Sequence, residues 1–256
     1  LRLCNGPQAM MYRWSRRISR PTGGRRHPEL ASLVTMTREA RAAAVEGRAI
    51  DLDIVNCYPS LLCWLMQRLG LQCPASIQAY ATPGGRRIAI QAVQDYIHYR
   101  HFSMGRLQEA DVKTAFLSAL FGRRPMTWQV DIGIPGSLPP APALQEFYDD
   151  SRTAIQQIMS TPTGKVMEEI RARDPSIAEA KLHNSALSYL LAQLESAAIQ
   201  VAEAVCRTPS AGQPVWDILA ICYDGLLCWP SNGIQPTSSM VDTLCSRIRQ
   251  AWLQDI

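Results

Sequence analysis

Asp51-Leu52-Asp53-Ile54-Val55-Asn56-Cys57-Tyr58-Pro59-Ser60-Leu61 is the stretch whose reading decides the rest of this 256-residue chain. Its first half belongs to a short β-prone run, Ala49 to Val55, that contains two aspartates. An ionised carboxylate on an apolar strand is costly to bury without a partner. It therefore needs a metal, a cation, several hydrogen-bond donors or a place facing solvent. Side chains alternate along a strand, so Asp51 and Asp53 share a face. Pro59 suits the first turn of a helix, where its missing N–H is not needed. That helix is expected to run to about Leu69 and to stop at Gly70. Taken alone, Asp53 reads equally well as a strand-end cap for this helix.

A second isolated acid stands in Ile221-Cys222-Tyr223-Asp224-Gly225-Leu226-Leu227. The apolar runs Trp216 to Cys222 and Leu226 to Trp229 flank it, and Asp-Gly between two such runs signals a hairpin. A type I′ turn would account for Asp224 with no further role. The pair of acids says more than either one. Hard divalent cations take oxygen ligands, and Mg²⁺ is held by a few carboxylates with substrate phosphates and water. Two such ions, about 4 Å apart, serve both the attacking and the leaving oxygen of a phosphoryl transfer. Asp53 and Asp224 are the candidate ligands, and the spacing leaves open whether Asp51 joins them.

Around these centres the pattern is mostly helical. Helices are expected over residues 29–46, 84–101, 107–121, 143–159, 163–173, 176–206 and 237–254. Gly133 to Pro142 reads as a loop, and Leu187, Leu190, Leu191 and Leu194 share one face of the longest helix. No repeat or low-complexity tract is present.

Hydrophobic residues make up 47% of the chain and charged residues 19%, a globular balance that argues against general disorder. The net charge of +4 is unevenly placed. Arg13, Arg16, Arg17, Arg20, Arg25 and Arg26 all precede the first acid, Glu29. Such a block suits phosphate neutralisation with counterion release, and equally a solvated tail. Pro21, Gly23 and Gly24 break the long amphipathic helix that a transit peptide would need. The chain starts at Leu1 and is expected to be a piece of a longer one. Its longest apolar stretch, around Leu61 to Met66, is too short to span a bilayer. None of the eight cysteines forms a CxxC pair, which argues against zinc. They read as reduced thiols of an intracellular protein of the cytoplasm or nucleus, with no membrane partner and no secretion. No G-x-S-x-G, Walker A or dinucleotide-binding glycine pattern is present.

Asp53-Ile-Val-Asn-Cys-Tyr58-Pro59-Ser60-Leu61 resembles motif A of family B DNA polymerases, D-x-x-S-L-Y-P-S-I, with Asn56 in place of the usual serine. The resemblance implies that Asp53 binds the metal pair and that Tyr58 lies under the sugar as a steric gate. Lys113-Thr-Ala-Phe-Leu-Ser-Ala-Leu-Phe121-Gly122 is similar to the family A fingers helix, K-x-x-x-F-x-x-x-[YF]-G, although Phe116 stands one place early. By that likeness Lys113 contacts the incoming triphosphate and Phe121 stacks near the template base. The arginine that family A carries before its lysine is replaced by Glu109, and Arg106 stands about two turns away as a substitute. Lys181-Leu-His-Asn184-Ser185 is a competing likeness, to the family B pattern K-x-x-x-N-S-x-Y-G, one residue short and without its Tyr-Gly end. His183, Asn184, Gln193 and Glu195 are polar candidates for facing substrate. Tyr223-Asp224-Gly225 stands where motif C belongs and makes Asp224 the second metal ligand.

The chain is thus read as similar to a divergent family A/B-like DNA polymerase of viral or mobile-element type. The implied fold is α+β, a palm with a small antiparallel sheet and a helical fingers subdomain. The expected parts are a basic arm at 1–28, palm at 29–62, helical fingers at 63–142, and palm again at 143–256 with the long helix and hairpin. The implied cofactors are two Mg²⁺ ions, or Mn²⁺ in their place. The implied partners are a DNA primer-template, deoxynucleoside triphosphates and further replication domains or subunits. The alternatives are a primase, an RNA polymerase or another metal-dependent nucleic-acid enzyme, and a non-catalytic nucleic-acid-binding replication protein.

Overall fold

The computed structural model describes residues 12–14, 26–28, 40, 43, 45, 49–100, 107–222 and 225–255. Among them the chain is α+β and mostly helical. Two compact units emerge, one from residues 1–54 with 192–256 and one from residues 55–191.

The first unit is built on an antiparallel sheet of three strands. These are β3 (Ile50–Asp53), β4 (Trp216–Cys222) and β5 (Gly225–Pro230), in the order β3-β5-β4. A separate short ribbon pairs β1 (Tyr12–Trp14) with β2 (Arg26–Pro28), so that Arg13 stands opposite His27 and Arg26 opposite Trp14. In β3, Ile50 and Leu52 are half-buried while Asp51 and Asp53 are exposed. The expected alternation therefore holds. Ile50 and Leu52 turn to the core with Trp216, Ile221, Leu226 and Cys228. That face is covered by Ile199, Ala202 and Cys206 from the long helix α8 (Glu179–Arg207), and by Leu244 from α9 (Ser238–Asp255). Apolar burial of this kind is worth about 25 cal/mol per Å² removed from water, so the helices hold the sheet by one face. The acids are left on the other.

The second unit is a helical bundle. It contains α1 (Cys57–Arg68), α2 (Ala75–Ala81), α3 (Pro83–Arg100), α4 (Glu109–Leu120), α5 (Pro125–Asp131), α6 (Pro142–Met159), a 3₁₀ turn (Pro162–Lys165) and α7 (Val166–Arg173). The first part of α8 completes it. Its centre is aromatic. Tyr80, Phe116 and Phe147 come from α2, α4 and α6, and their ring centroids are 4.6 to 5.1 Å apart. Ser76, at the start of α2, donates its backbone N–H and its hydroxyl to Asp150 Oδ2 on α6, at 3.3 and 2.6 Å. Burial lifts the Tyr80 hydroxyl to about 12 and leaves its oxygen without a hydrogen-bond partner.

The expected palm part over 143–256 runs through both units, because α6 packs on α2, α3 and α4 of the bundle. Helix α1 starts, holds Pro59 in its first turn and stops where the sequence indicates. Leu69 is its C-cap, and Gly70 follows at φ +69°, a left-handed position that favours glycine. Among the described residues no helix is long and apolar enough to cross a membrane.

Candidate active site

Asp53 is the last residue of β3, and its register partner on β5 is Gly225. Gly225 in turn is paired with Cys222 of β4. β4 and β5 thus form the hairpin that the two apolar runs indicate, with Gly225 in the ladder rather than in a type I′ turn. A type I′ turn requires positive φ at both of its central residues, whereas Gly225 lies in the strand without one. The reason for glycine at position 225 is close approach. A Cβ placed there would stand 2.5 Å from the Leu52 carbonyl oxygen. The same construction locates the Asp53 side chain, since its Oδ1 lies 3.4 Å from that point. The Asp53 carboxylate thus leans over the residue that follows Asp224 in the chain. Asp224 and Tyr223 themselves lie outside the described residues, as do Arg106, Arg16, Arg17, Arg20 and Arg25. Of the remaining arginines in the basic block, Arg13 and Arg26 belong to the short ribbon.

The N-cap position of α1 is not Asp53. That position is held by Asn56, the residue that departs from the family B pattern. Its backbone is left-handed, at φ 49° and ψ 51°, a region that asparagine tolerates better than most residues. Its amide donates to the carbonyl oxygens of Tyr80 and Ala81, both at 3.0 Å, and so ties the start of α1 to the end of α2. Ser60 donates to the Val55 carbonyl at 2.6 Å, a second bond that fixes the first turn of α1.

The helical unit brings together two of the residues singled out for nucleotide binding. Tyr58 on α1 meets Phe121, the C-cap of α4, edge to face, with centroids 5.4 Å apart and planes at 81°. Beside Phe121, Gly122 has φ +87°, and a Cβ there would fall 2.1 Å from the Asn184 amide nitrogen. The end of the Lys113 pattern and the Asn184 of the competing Lys181 pattern are therefore in contact, which neither pattern alone indicates. Lys113 and Lys181 are both exposed. Phe116 belongs to the aromatic core and is 1% exposed, so it is a packing residue.

The polar candidates on α8 separate. His183 lies 3.4 Å from Glu179 one turn away, Gln193 is exposed, and Glu195 is buried at 2% exposure. Among the described residues no group of three or more His, Cys, Asp or Glu has the geometry to hold a metal ion. No protein-family model, no curated protein and no solved structure matches this chain. What it does is read from its own residues.

Proposed function

We propose that this chain is a template-directed DNA polymerase core, which extends a primer 3′-hydroxyl with deoxynucleoside triphosphates. The observation that carries the reading is the lean of the Asp53 carboxylate over Gly225, 3.4 Å from where a Cβ would stand. Neighbouring Cα atoms are about 3.8 Å apart and antiparallel partners about 4.5–5.5 Å. Covalent connection to Gly225 therefore keeps the Asp53 and Asp224 backbones within about 10 Å of each other. Asp53 stands on the sheet face opposite the helices, and its carboxylate together with that of Asp224, the chain neighbour of Gly225, would make a hard-oxygen donor set that suits Mg²⁺ or Mn²⁺. Asp53 and Asp224 would hold the ions, which would supply charge neutralisation and lower the pKa of the attacking hydroxyl.

The chain's own side chains have simpler tasks. Lys113, exposed on α4, offers its ammonium to triphosphate oxygens. Tyr58 presents a ring whose position is fixed by its edge-to-face contact with Phe121, as a gate against a 2′-hydroxyl requires. A half-buried Phe121 beside a glycine offers an apolar face for a base. The six arginines Arg13, Arg16, Arg17, Arg20, Arg25 and Arg26 bind primer-template phosphates, and the protein works inside the cell with further replication components.

Primer extension on a DNA template with Mg²⁺ tests this, with dNTPs and NTPs supplied separately. Asp53→Asn and Asp224→Asn each remove a ligand charge that is worth several kcal/mol in the transition state, so extension falls by about 10³-fold or more. Circular dichroism and melting of Asp53→Asn stay near wild type, because Asp53 is exposed. Undiminished extension by either variant overturns the proposal.

A further inference from the structure

Away from the acidic strands, two thiols of the helical unit stand in contact. Cys63 lies on α1 and Cys73 in the segment before α2, and their Sγ atoms are 3.1 Å apart. A disulfide holds its sulfurs about 2.05 Å apart, so a movement of about 1 Å closes the bond. The two thiols differ in access. Cys63 is half-buried, whereas Cys73 is 7% exposed. They also differ in acidity. The hydrogen bond donated by Cys73 holds the Cys63 thiol below its ordinary range, and the same bond together with burial pushes Cys73 up. The thiolate is the reactive form in exchange chemistry. The more accessible sulfur is thus also the better nucleophile.

We infer that Cys63 and Cys73 form a reversible dithiol–disulfide site, in which Cys63 attacks a small external disulfide and Cys73 resolves the product. The Cys63 thiolate attacks one sulfur of an oxidised low-molecular-weight thiol, R–S–S–R. The reagent's S–S bond breaks, and the departing RS⁻ takes up the proton that Cys63 lost. Cys73 gives up its proton in turn and attacks the Cys63 sulfur. The Cys63–Cys73 bond forms, and a second RS⁻ leaves and is protonated. Two protein thiols have then lost two electrons and two protons, and R–S–S–R has become two RSH. The cross-link fastens α1, whose first turn carries Tyr58, to the approach to α2. A contrast lies in the other unit, where Cys206 and Cys228 share a hydrogen bond but are each 0% exposed. No external disulfide reaches them, so of these two pairs only Cys63 and Cys73 are open to the exchange.

Oxidised glutathione is the probe. The folded chain is incubated with it, quenched by alkylation and mapped by peptide mass spectrometry. The expected product is a Cys63–Cys73 linked peptide, reversed by dithiothreitol, with Cys206 and Cys228 alkylated only after unfolding. Cys73→Ser should accumulate a glutathione mixed disulfide on Cys63, and Cys63→Ser should form neither product. Serine at the buried position 73 carries a folding cost, so the wild-type map decides by itself. Overturning results are folded wild type in which both thiols are alkylated with no linked peptide, or Cys63→Ser trapping glutathione at Cys73 as readily as Cys73→Ser does at Cys63. Neither bears on primer extension, so this site and the polymerase reading fail separately.

Discussion

Substituting Gly225 by alanine probes the junction of β3 and β5 at the residue opposite Asp53. The added Cβ would stand 2.5 Å from the Leu52 carbonyl oxygen, where ordinary contact begins at 3.4 Å. Relief requires β3 to move away from β5 by the difference, 3.4 − 2.5, or about 0.9 Å. Overpacking of this order costs about 1–3 kcal/mol. For a chain of this size each kcal/mol lowers the melting temperature by about 2–4 °C, so Gly225→Ala should melt about 2–12 °C below wild type. The same displacement carries Asp53 with it, and misplacing a catalytic group by about 1 Å costs on the order of 10²-fold in rate. Thermal melting by circular dichroism and primer extension well below the melting point read the two effects. Gly84→Ala is the control. No heavy atom lies within 4 Å of the Cβ it would add, and a gain of up to about 1 kcal/mol is expected. If Gly225→Ala melts with wild type and extends primers at the wild-type rate, the close approach of β3 and β5 at Asp53 is wrong.

Two further outcomes follow from the helical unit. Tyr58→Ala removes the ring that packs on Phe121 and should lower discrimination against ribonucleotides by roughly 10–200-fold, the range that shape fit supplies; Tyr58→Phe should keep it, and competing dNTP and NTP incorporation measures both. The Tyr80 hydroxyl is held up at about 12, above its unfolded value near 10, so the folded state binds the extra proton. The stability tied to that proton is fully present below about pH 10 and is lost as pH rises from about 10 through 12. Urea melts at pH 9, 10.5 and 11.5 should show that decline in wild type and lack it in Tyr80→Phe, a variant that leaves no buried hydroxyl unpaired and keeps its stability at neutral pH.

Much of this was legible in the chain of residues, and the limits have physical causes. Alternation along a strand is a local rule, so the shared face of Asp51 and Asp53 could be read from their spacing. The left-handed Gly70 that closes α1 was equally readable, because the stop signal lies within one turn of the helix. Helices α2 and α5 were not foreseen. Each has 7 residues, less than two full periods, and each exists because Tyr80 or Trp128 is buried by tertiary packing. Phe116 illustrates a third limit, since an aromatic in a helical pattern fits a core and a ligand face equally well until its neighbours are known. Pairing of Asp53 with Gly225, and contact of Gly122 with Asn184, join residues remote in sequence. No local pattern contains them. The hairpin was legible from its two apolar runs, but the role of its glycine was not, because Gly225 answers to Leu52 on a distant strand.

The proposed chemistry requires Asp53 and Asp224 to grip the same pair of cations, and anomalous diffraction from crystals soaked in Mn²⁺ measures that directly. A peak within about 2.5 Å of a carboxylate oxygen from each residue is predicted, with the two carboxylates no more than about 8 Å apart. Density that shows the two side chains on opposite faces of the sheet, with no manganese between them, would contradict it.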